Sequence, residues 1–265
     1  MNALMGLSTN VSRLQWNEYQ ENGFVKLGRT LDENELSQLQ NRIDDYMMGS
    51  ITNNELMMQL DVGGNDYGAM GSTKFGQSKG FKESTLSYRK IEKLEQDPLF
   101  FAFMRKEIFR DICFKTYGNI DISSYRAMFM NKPKDLGTVL PWHQDGGGSW
   151  GLSHDPRVTI WTALDHATTD NGCVQVIPGS HHLGLLNEMG HLITDEQRKN
   201  YCDESKVKYL ELEAGESMIL NNMLLHRSGV NNGNSSRRAF STCYMDGSTT
   251  QINSGKRFPL LFEAK

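Results

Sequence analysis

The sequence predicts an α+β chain, mainly β, whose core is a β-sandwich or jelly roll. Two observations carry this. Amphipathic helical patterns fall before Gly118, and short apolar runs separated by Gly, Pro and Asn fill the chain after it. Neither a repeat nor a linker interrupts the 265 residues, so the chain reads as one domain. Its helical part spans about 1–118 and its β core about 119–250.

Residues 16–22 predict a short helix that Gly23 is suited to end. Residues 24–27 then read as a strand. Asp32 with Glu35 three positions on is a capping-box signature, and Leu36, Leu39, Ile43 and Met47 recur at helical spacing. From Gly49 to Gly80 the periodicity disappears. Gly63, Gly64, Gly68, Gly71, Gly76 and Gly80 punctuate a polar stretch, which predicts a mobile flap or, at even weight, a plain surface excursion. Asp97-Pro98 opens one helix through Leu99, Phe100, Phe103, Met104, Ile108 and Ile112 to Gly118. Strands are predicted at 122–130, 158–164, 173–177, 207–212, 217–221 and 238–245.

Composition excludes several classes. The 28 basic and 32 acidic residues give a formal net charge of -4 with no basic block, so no nucleic-acid partner is expected. No apolar run approaches the ~20 residues a membrane span needs. The opening Met-Asn-Ala-Leu-Met-Gly-Leu does not read as a signal peptide, and the closing Phe-Glu-Ala-Lys is not a peroxisomal tail. Cys113, Cys173, Cys202 and Cys243 form no Cys-x-x-Cys pair. They are expected as small buried residues in a reducing, cytoplasmic setting, and zinc of the Cys type has no support.

The stretch that carries chemistry is Leu140-Pro-Trp-His-Gln-Asp-Gly-Gly-Gly148. On a strand or its extended end, His143 and Asp145 share a face. An imidazole and a carboxylate there, with a second His from elsewhere, make the facial triad of non-haem Fe(II) oxygenases. His-x-Asp alone is more often an ordinary loop. Of the seven histidines, His226 is the best partner, because it follows the predicted strand 217–221 and precedes a polar turn. His181 and His182 read as turn residues, and His154, His166 and His191 have no second feature beside them. Such a triad leaves positions for a bidentate cosubstrate and O2. A dicarboxylate cosubstrate would need a cation, and Arg237 lies eleven residues beyond His226. Taken alone, Arg237 and Arg238 read rather as an ordinary solvated basic pair.

Several segments together resemble the phytanoyl-CoA dioxygenase (PhyH-like) family of Fe(II)/2-oxoglutarate-dependent oxygenases. They are Tyr19-Gln-Glu-Asn-Gly-Phe24, Met128-Phe-Met-Asn-Lys-Pro133, His143-Gln-Asp145 and Ile160-Trp-Thr-Ala-Leu164. Asn171-Gly-Cys-Val-Gln-Val-Ile-Pro-Gly-Ser-His181, His226-Arg-Ser-Gly229 and Arg237-Arg-Ala-Phe-Ser241 complete the set. They occur in the family's order and cover most of the chain from Trp16 onward. Each is weak alone; the ordered set is specific.

The resemblance implies a double-stranded β-helix, a cupin-like jelly roll, with N-terminal helices packed outside. It implies His143, Asp145 and His226 as ligands to Fe(II), and Arg237 with Ser228 beside it at the distal carboxylate of 2-oxoglutarate. Gln144, Met128 and Trp161 match positions lining the cosubstrate pocket, and Lys90 matches a further cosubstrate lysine on a short local similarity. The expected reaction is hydroxylation of a small molecule with release of succinate and CO2. Desaturation, cyclisation and epoxidation are variants of that chemistry. Residues 146–156 depart from the enzyme that names the family, so phytanoyl-CoA is not the expected substrate. This stretch is similar to members acting on small molecules and natural-product intermediates. Two alternatives stay open: a cupin-type hydrolase or isomerase using Zn(II) or Mn(II), and a non-catalytic binding module on the same fold.

Overall fold

The computed structural model describes residues 6–64, 67, 76–134, 136–189 and 191–265. The first helix, α1 (Arg13–Asn22), starts on a capping box between Ser12 and Gln15 and stops at Gly23. Gly23 has φ 81°, a region that costs a residue with a Cβ, and a Cβ there would meet His181 Nδ1 at 2.6 Å. After β1 (Phe24–Arg29), α2 (Glu33–Met48) starts at Asp32, with Glu35 closing the expected capping box. Leu36, Leu39, Ile43 and Met47 are all buried, as their spacing requires. Fully burying such a side chain is worth roughly 1.5–3 kcal/mol.

The segment from Gly49 to Gly80 differs from its expectation. It contains β2 (Met57–Leu60) and β3 (Ser78–Lys79), which pair with each other. β2 is buried along nearly its whole length, so it lacks the alternation that marks a half-exposed strand. Residues 65, 66 and 68–75 of the expected flap lie outside the described residues. β4 (Tyr88–Glu92) was also unmarked in the sequence. The single helix expected from Asp97 to Gly118 is two, α3 (Pro98–Met104) and α4 (Glu107–Tyr117). Between them Lys106 is extended, and its ammonium donates to Thr30 O (2.6 Å) and Glu35 Oε2 (2.7 Å). These tertiary bonds outweigh helical continuity.

The remaining elements are β5 (Ile122–Lys132), β6 (Leu140–His143), β7 (Val158–Ala163), β8 (Val174–Val176), α5 (Asp195–Tyr201), β9 (Lys208–Leu210), β10 (Glu216–Asn221), β11 (His226–Ser228), β12 (Arg237–Asp246) and β13 (Leu260–Phe262). All strand pairs among the described residues are antiparallel. The larger sheet runs β1-β10-β7-β12-β5-β4-β2-β3, with β13 also on β5, and the smaller runs β6-β11-β8-β9. β10-β7-β12-β5 and β6-β11-β8-β9 are the two walls of a jelly roll. The expected boundary near residue 118 does not divide the structure, because β1 to β4 extend the larger sheet.

Strand alternation sorts the larger sheet into two faces. Phe129, Ile160, Ile219, Phe240 and Tyr244 share a core with α2, α3 and α4. Trp161, Met218, Leu220 and Ala239 pack instead with Val174, Val176 and Leu210 of the smaller sheet. The helices therefore cover the outside, and the space between the sheets is only partly filled. The four cysteines are buried and unpaired, as expected. Among the described residues, no helix is long and apolar enough to cross a membrane.

Candidate metal centre and active-site cavity

Between the sheets lies a cavity of about 370 Å³. Its walls come from β4, β5, β7, β10 and β12 on one side and β6, β8 and β11 on the other. His143 closes β6, His226 opens β11, and the two are register partners. Their ring centroids are 3.9 Å apart. Asp145 lies just past the end of β6, with Oδ2 3.7 Å from His226 Nε2. One ligand atom from each of His143, Asp145 and His226 lies within 4.8 Å of the others.

Backbone carbonyls fix which ring nitrogens face this point. His143 Nδ1 is 2.8 Å from Pro141 O, and His226 Nδ1 is 2.9 Å from Leu224 O. A carbonyl only accepts, so each Nδ1 carries a proton and each ring turns Nε2 toward this point, the usual orientation of a metal-binding histidine. Burial pushes the His143 pKa well below the usual imidazole range, helped by His226 alongside, which keeps the ring neutral. Asn222 holds Asp145 in place. Its carbonyl accepts from Asp145 N–H at 2.7 Å, and its Nδ2 donates to Asp145 O at 3.2 Å. The side-chain oxygen of Asn222 accepts from Thr159 Oγ1 at 3.0 Å.

Arg237, the first residue of β12, is 4% exposed. Its guanidinium carbon lies 5.5 Å from the Trp161 ring centroid. Nε and Nη1 have no partner among the described residues, and neither has Trp161 Nε1. Burial pushes the Arg237 pKa down to about 10, which leaves it charged at neutral pH. A buried cation with idle donors is costly unless an anion fills the space. Lys132, its register partner on β5, also faces the cavity and donates to Thr138 O at 2.7 Å.

Most of the other expected residues share this cavity. Ser228 sits two positions after His226, on the same face of β11. Trp161, Met128 and Lys90 line it from β7, β5 and β4. Lys90 Nζ is paired to Glu92 at 2.9 Å. Gln144 differs from the expectation. It lies between His143 and Asp145, so its side chain points the other way, out of the cavity lining. Its Nε2 donates to Gly184 O (2.8 Å) and Met223 O (2.6 Å), and its Oε1 accepts from Leu186 N–H (2.8 Å).

His191 differs as well. It lines the cavity and meets the His143 ring edge to face at 5.9 Å, although nothing beside it in the sequence marked it. Arg126 and Lys132 were also missed, yet a signal existed. Both lie an even number of positions from Met128 on β5 and so share its face. Trp150 lines the cavity from a tight turn between Gly147 (φ 95°) and Gly151 (φ 63°), conformations that favour glycine at those two positions.

Comparison with known proteins agrees with this geometry. The phytanoyl-CoA dioxygenase (PhyH) family model matches residues 19–239. A probable phytanoyl-CoA dioxygenase of Caenorhabditis elegans is 26% identical over 242 residues, covering 85% of this chain and 72% of that one. The peroxisomal phytanoyl-CoA dioxygenase of Homo sapiens is 25% identical over 252 residues, covering 89% and 69%. Among solved structures, the non-heme alpha-ketoglutarate-dependent carbocyclase SnoK from nogalamycin biosynthesis has TM-score 0.67 at 19% identity, covering 93% and 89%. EctD from S. alaskensis with 2-oxoglutarate and 5-hydroxyectoine has TM-score 0.70 at 16% identity, covering 100% and 87%. These two likenesses establish the jelly-roll fold, and the family match, which spans most of the length, establishes descent: the chain belongs to the phytanoyl-CoA dioxygenase (PhyH) family.

Proposed function

We propose that His143, Asp145 and His226 hold Fe(II), that Arg237 anchors 2-oxoglutarate, and that the product is a hydroxylated small molecule. The reaction class is that of the family, 2-oxoglutarate-dependent non-haem iron oxygenation. Bound Fe(II) and 2-oxoglutarate supply the oxidising chemistry: one oxygen atom of O2 enters substrate, the other enters succinate, and CO2 leaves.

The chain's own residues fit that role. Two imidazoles and one carboxylate are the donor set for Fe(II) with open positions. The Pro141 and Leu224 carbonyls orient the rings. The single observation that carries the cosubstrate assignment is Arg237, a buried guanidinium with two idle donor nitrogens facing the cavity. A dicarboxylate reaching from the metal would satisfy them, with Ser228 and Trp161 on the same walls. A hydrolase or isomerase has no use for this cation, which weighs against that alternative. The same feature, with the complete triad, weighs against a non-catalytic module.

Small-molecule substrates suit a cavity of about 370 Å³. Natural-product chemistry is the reading favoured by the SnoK likeness and by the departure at residues 146–156. The test is an anaerobic titration of Fe(II)-loaded protein with 2-oxoglutarate, followed by a substrate panel read by succinate formation. Succinate release that rises with one substrate class supports the assignment. An Fe(II)-loaded protein that fails to bind 2-oxoglutarate would refute it.

A further inference from the structure

Two cations of the cavity point to different anions. Arg237 faces Lys132 in register, and Arg126 faces Cys243, six positions along β5 from Lys132. At roughly 3.3–3.4 Å per residue, that is about 20 Å of strand. In the proposed function, 2-oxoglutarate has both carboxylates engaged, one at the metal and one at Arg237. Nothing of the cosubstrate is left for Arg126.

Arg126 is built into the wall rather than loose in it. Its guanidinium carbon lies 4.7 Å from the Trp150 ring centroid and 5.1 Å from that of Tyr125. Those two rings stack on each other at 4.9 Å and 27°. Among the described residues its nearest carboxylate is Glu92, at 4.0 Å from Nε, beyond hydrogen-bond distance. The same Glu92 oxygen already takes Lys90 Nζ at 2.9 Å. Two cations thus share one carboxylate, and one positive charge is in excess at a face that opens into the cavity. Asp145 does not cancel it if Asp145 binds the metal.

We propose that Arg126, backed by Trp150 and flanked by Lys90, anchors a carboxylate carried by the primary substrate. This rests on the oxygenase reading above and adds the substrate class: a small organic acid. One unit of excess charge matches a monoanion better than a phosphate dianion. A guanidinium carries a planar fork of N–H donors, which pairs with a planar carboxylate. The rings of Trp150 and Tyr125 then offer apolar surface to the body of that acid.

The test uses the full-length protein loaded with Ni(II) and saturating 2-oxoglutarate, so that the metal and Arg237 are engaged. Phenylacetate, hexanoate and indole-3-acetate are each titrated calorimetrically against the matching carboxamide. At least one carboxylate is expected to bind roughly tenfold or more tightly than its amide, because the amide keeps the shape and loses the charge. In Arg126→Gln that preference should shrink to about twofold or less, while 2-oxoglutarate affinity stays within about twofold. Arg126→Lys keeps the charge without the fork and should fall between.

If no carboxylate outbinds its amide in the parent protein, the proposal fails, whether or not the variants fold. It also fails if the preference survives Arg126→Gln, or if that variant loses 2-oxoglutarate binding, which would make Arg126 a cosubstrate residue. A parent protein that does not take up 2-oxoglutarate is a different result: it refutes the oxygenase reading in the loading step, before any acid is added.

Discussion

His143 and His226 face each other across two short antiparallel strands, with ring centroids 3.9 Å apart and both Nδ1 atoms turned to backbone carbonyls. No local pattern of the sequence brings them together. The pairing of β6 with β11 does, and Asp145 completes the set two residues on. Replacing either His by Ala should weaken Fe(II) on the order of 100-fold or more, since even outer-sphere changes cost 10–100-fold. Asp145→Ala should abolish product formation. Metal affinity by anaerobic titration and succinate release are the readouts. If both survive His226→Ala, another group supplies the third ligand.

The candidate metal set could be proposed from the sequence because two of its members sit at spacing two and the third follows a strand signal. Arg237 could be proposed only through the family pattern, since a basic pair on a strand end has no distinguishing local chemistry. What the pattern hid were residues placed by tertiary pairing. His191 reaches the cavity because β6 bonds to the segment around Leu192. Arg126 and Lys132 look like ordinary surface cations until β5 is known to turn that face inward. In the fold, caps and stripes identified α1 and α2, whereas β2 and β4 were missed. β2 is buried along nearly its whole length, and in β4 only Tyr88 and Ile91 are buried, three positions apart, so neither shows the alternation on which a strand is recognised.

Gln144 shows how one position changes a role. Its amide bridges Gly184, Leu186 and Met223, and so ties two loops to the end of the strand that carries His143. Gln144→Leu should leave 2-oxoglutarate affinity within about twofold and destabilise the fold by about 2–4 kcal/mol, for three bonds lost in a nearly buried site. Chemical denaturation beside a cosubstrate titration separates the two effects. A large loss of affinity with unchanged stability would return Gln144 to the cosubstrate pocket.

The turn that carries Trp150 is tied to two neighbouring loops through its glycine N–H groups. Gly148 N–H donates to Glu188 O at 2.6 Å, and Gly147 N–H to Asp155 Oδ1 at 2.9 Å. It forms the cavity wall nearest Arg126, and closing such a wall excludes water from the reacting centre. Amide hydrogen exchange at residues 147–151 is expected to slow when 2-oxoglutarate and substrate are both present. Equal protection in the free and loaded states would leave this turn a fixed surface feature.

Arg237 and Arg238 are neighbours on β12 with opposite tasks, because consecutive strand residues face opposite sides. Arg237 enters the cavity with idle donors. Arg238 points outward, where it grips Asp165 through Nε (2.8 Å) and Nη2 (2.9 Å) and reaches Asp44 of α2 at 2.6 Å. Arg237→Ala should therefore weaken 2-oxoglutarate by roughly 30-fold or more, since losing one side of a desolvated charge pair costs about 2–5 kcal/mol. Arg237→Lys should recover only part of this, because an ammonium cannot copy the paired N–H geometry. Fe(II) affinity should change little in either variant. Arg238→Ala should do the reverse. It leaves the cosubstrate alone and lowers stability by about 1–3 kcal/mol, the range for a partly buried bidentate pair that ties β12 to α2. The decisive measurement is 2-oxoglutarate affinity of each variant with Fe(II) bound and oxygen excluded, set beside its unfolding midpoint. Loss of cosubstrate binding in Arg238→Ala instead would mean that the other face of β12 meets the ligand. Unchanged binding in both would remove 2-oxoglutarate from the assignment and leave the triad to the hydrolase or isomerase alternative.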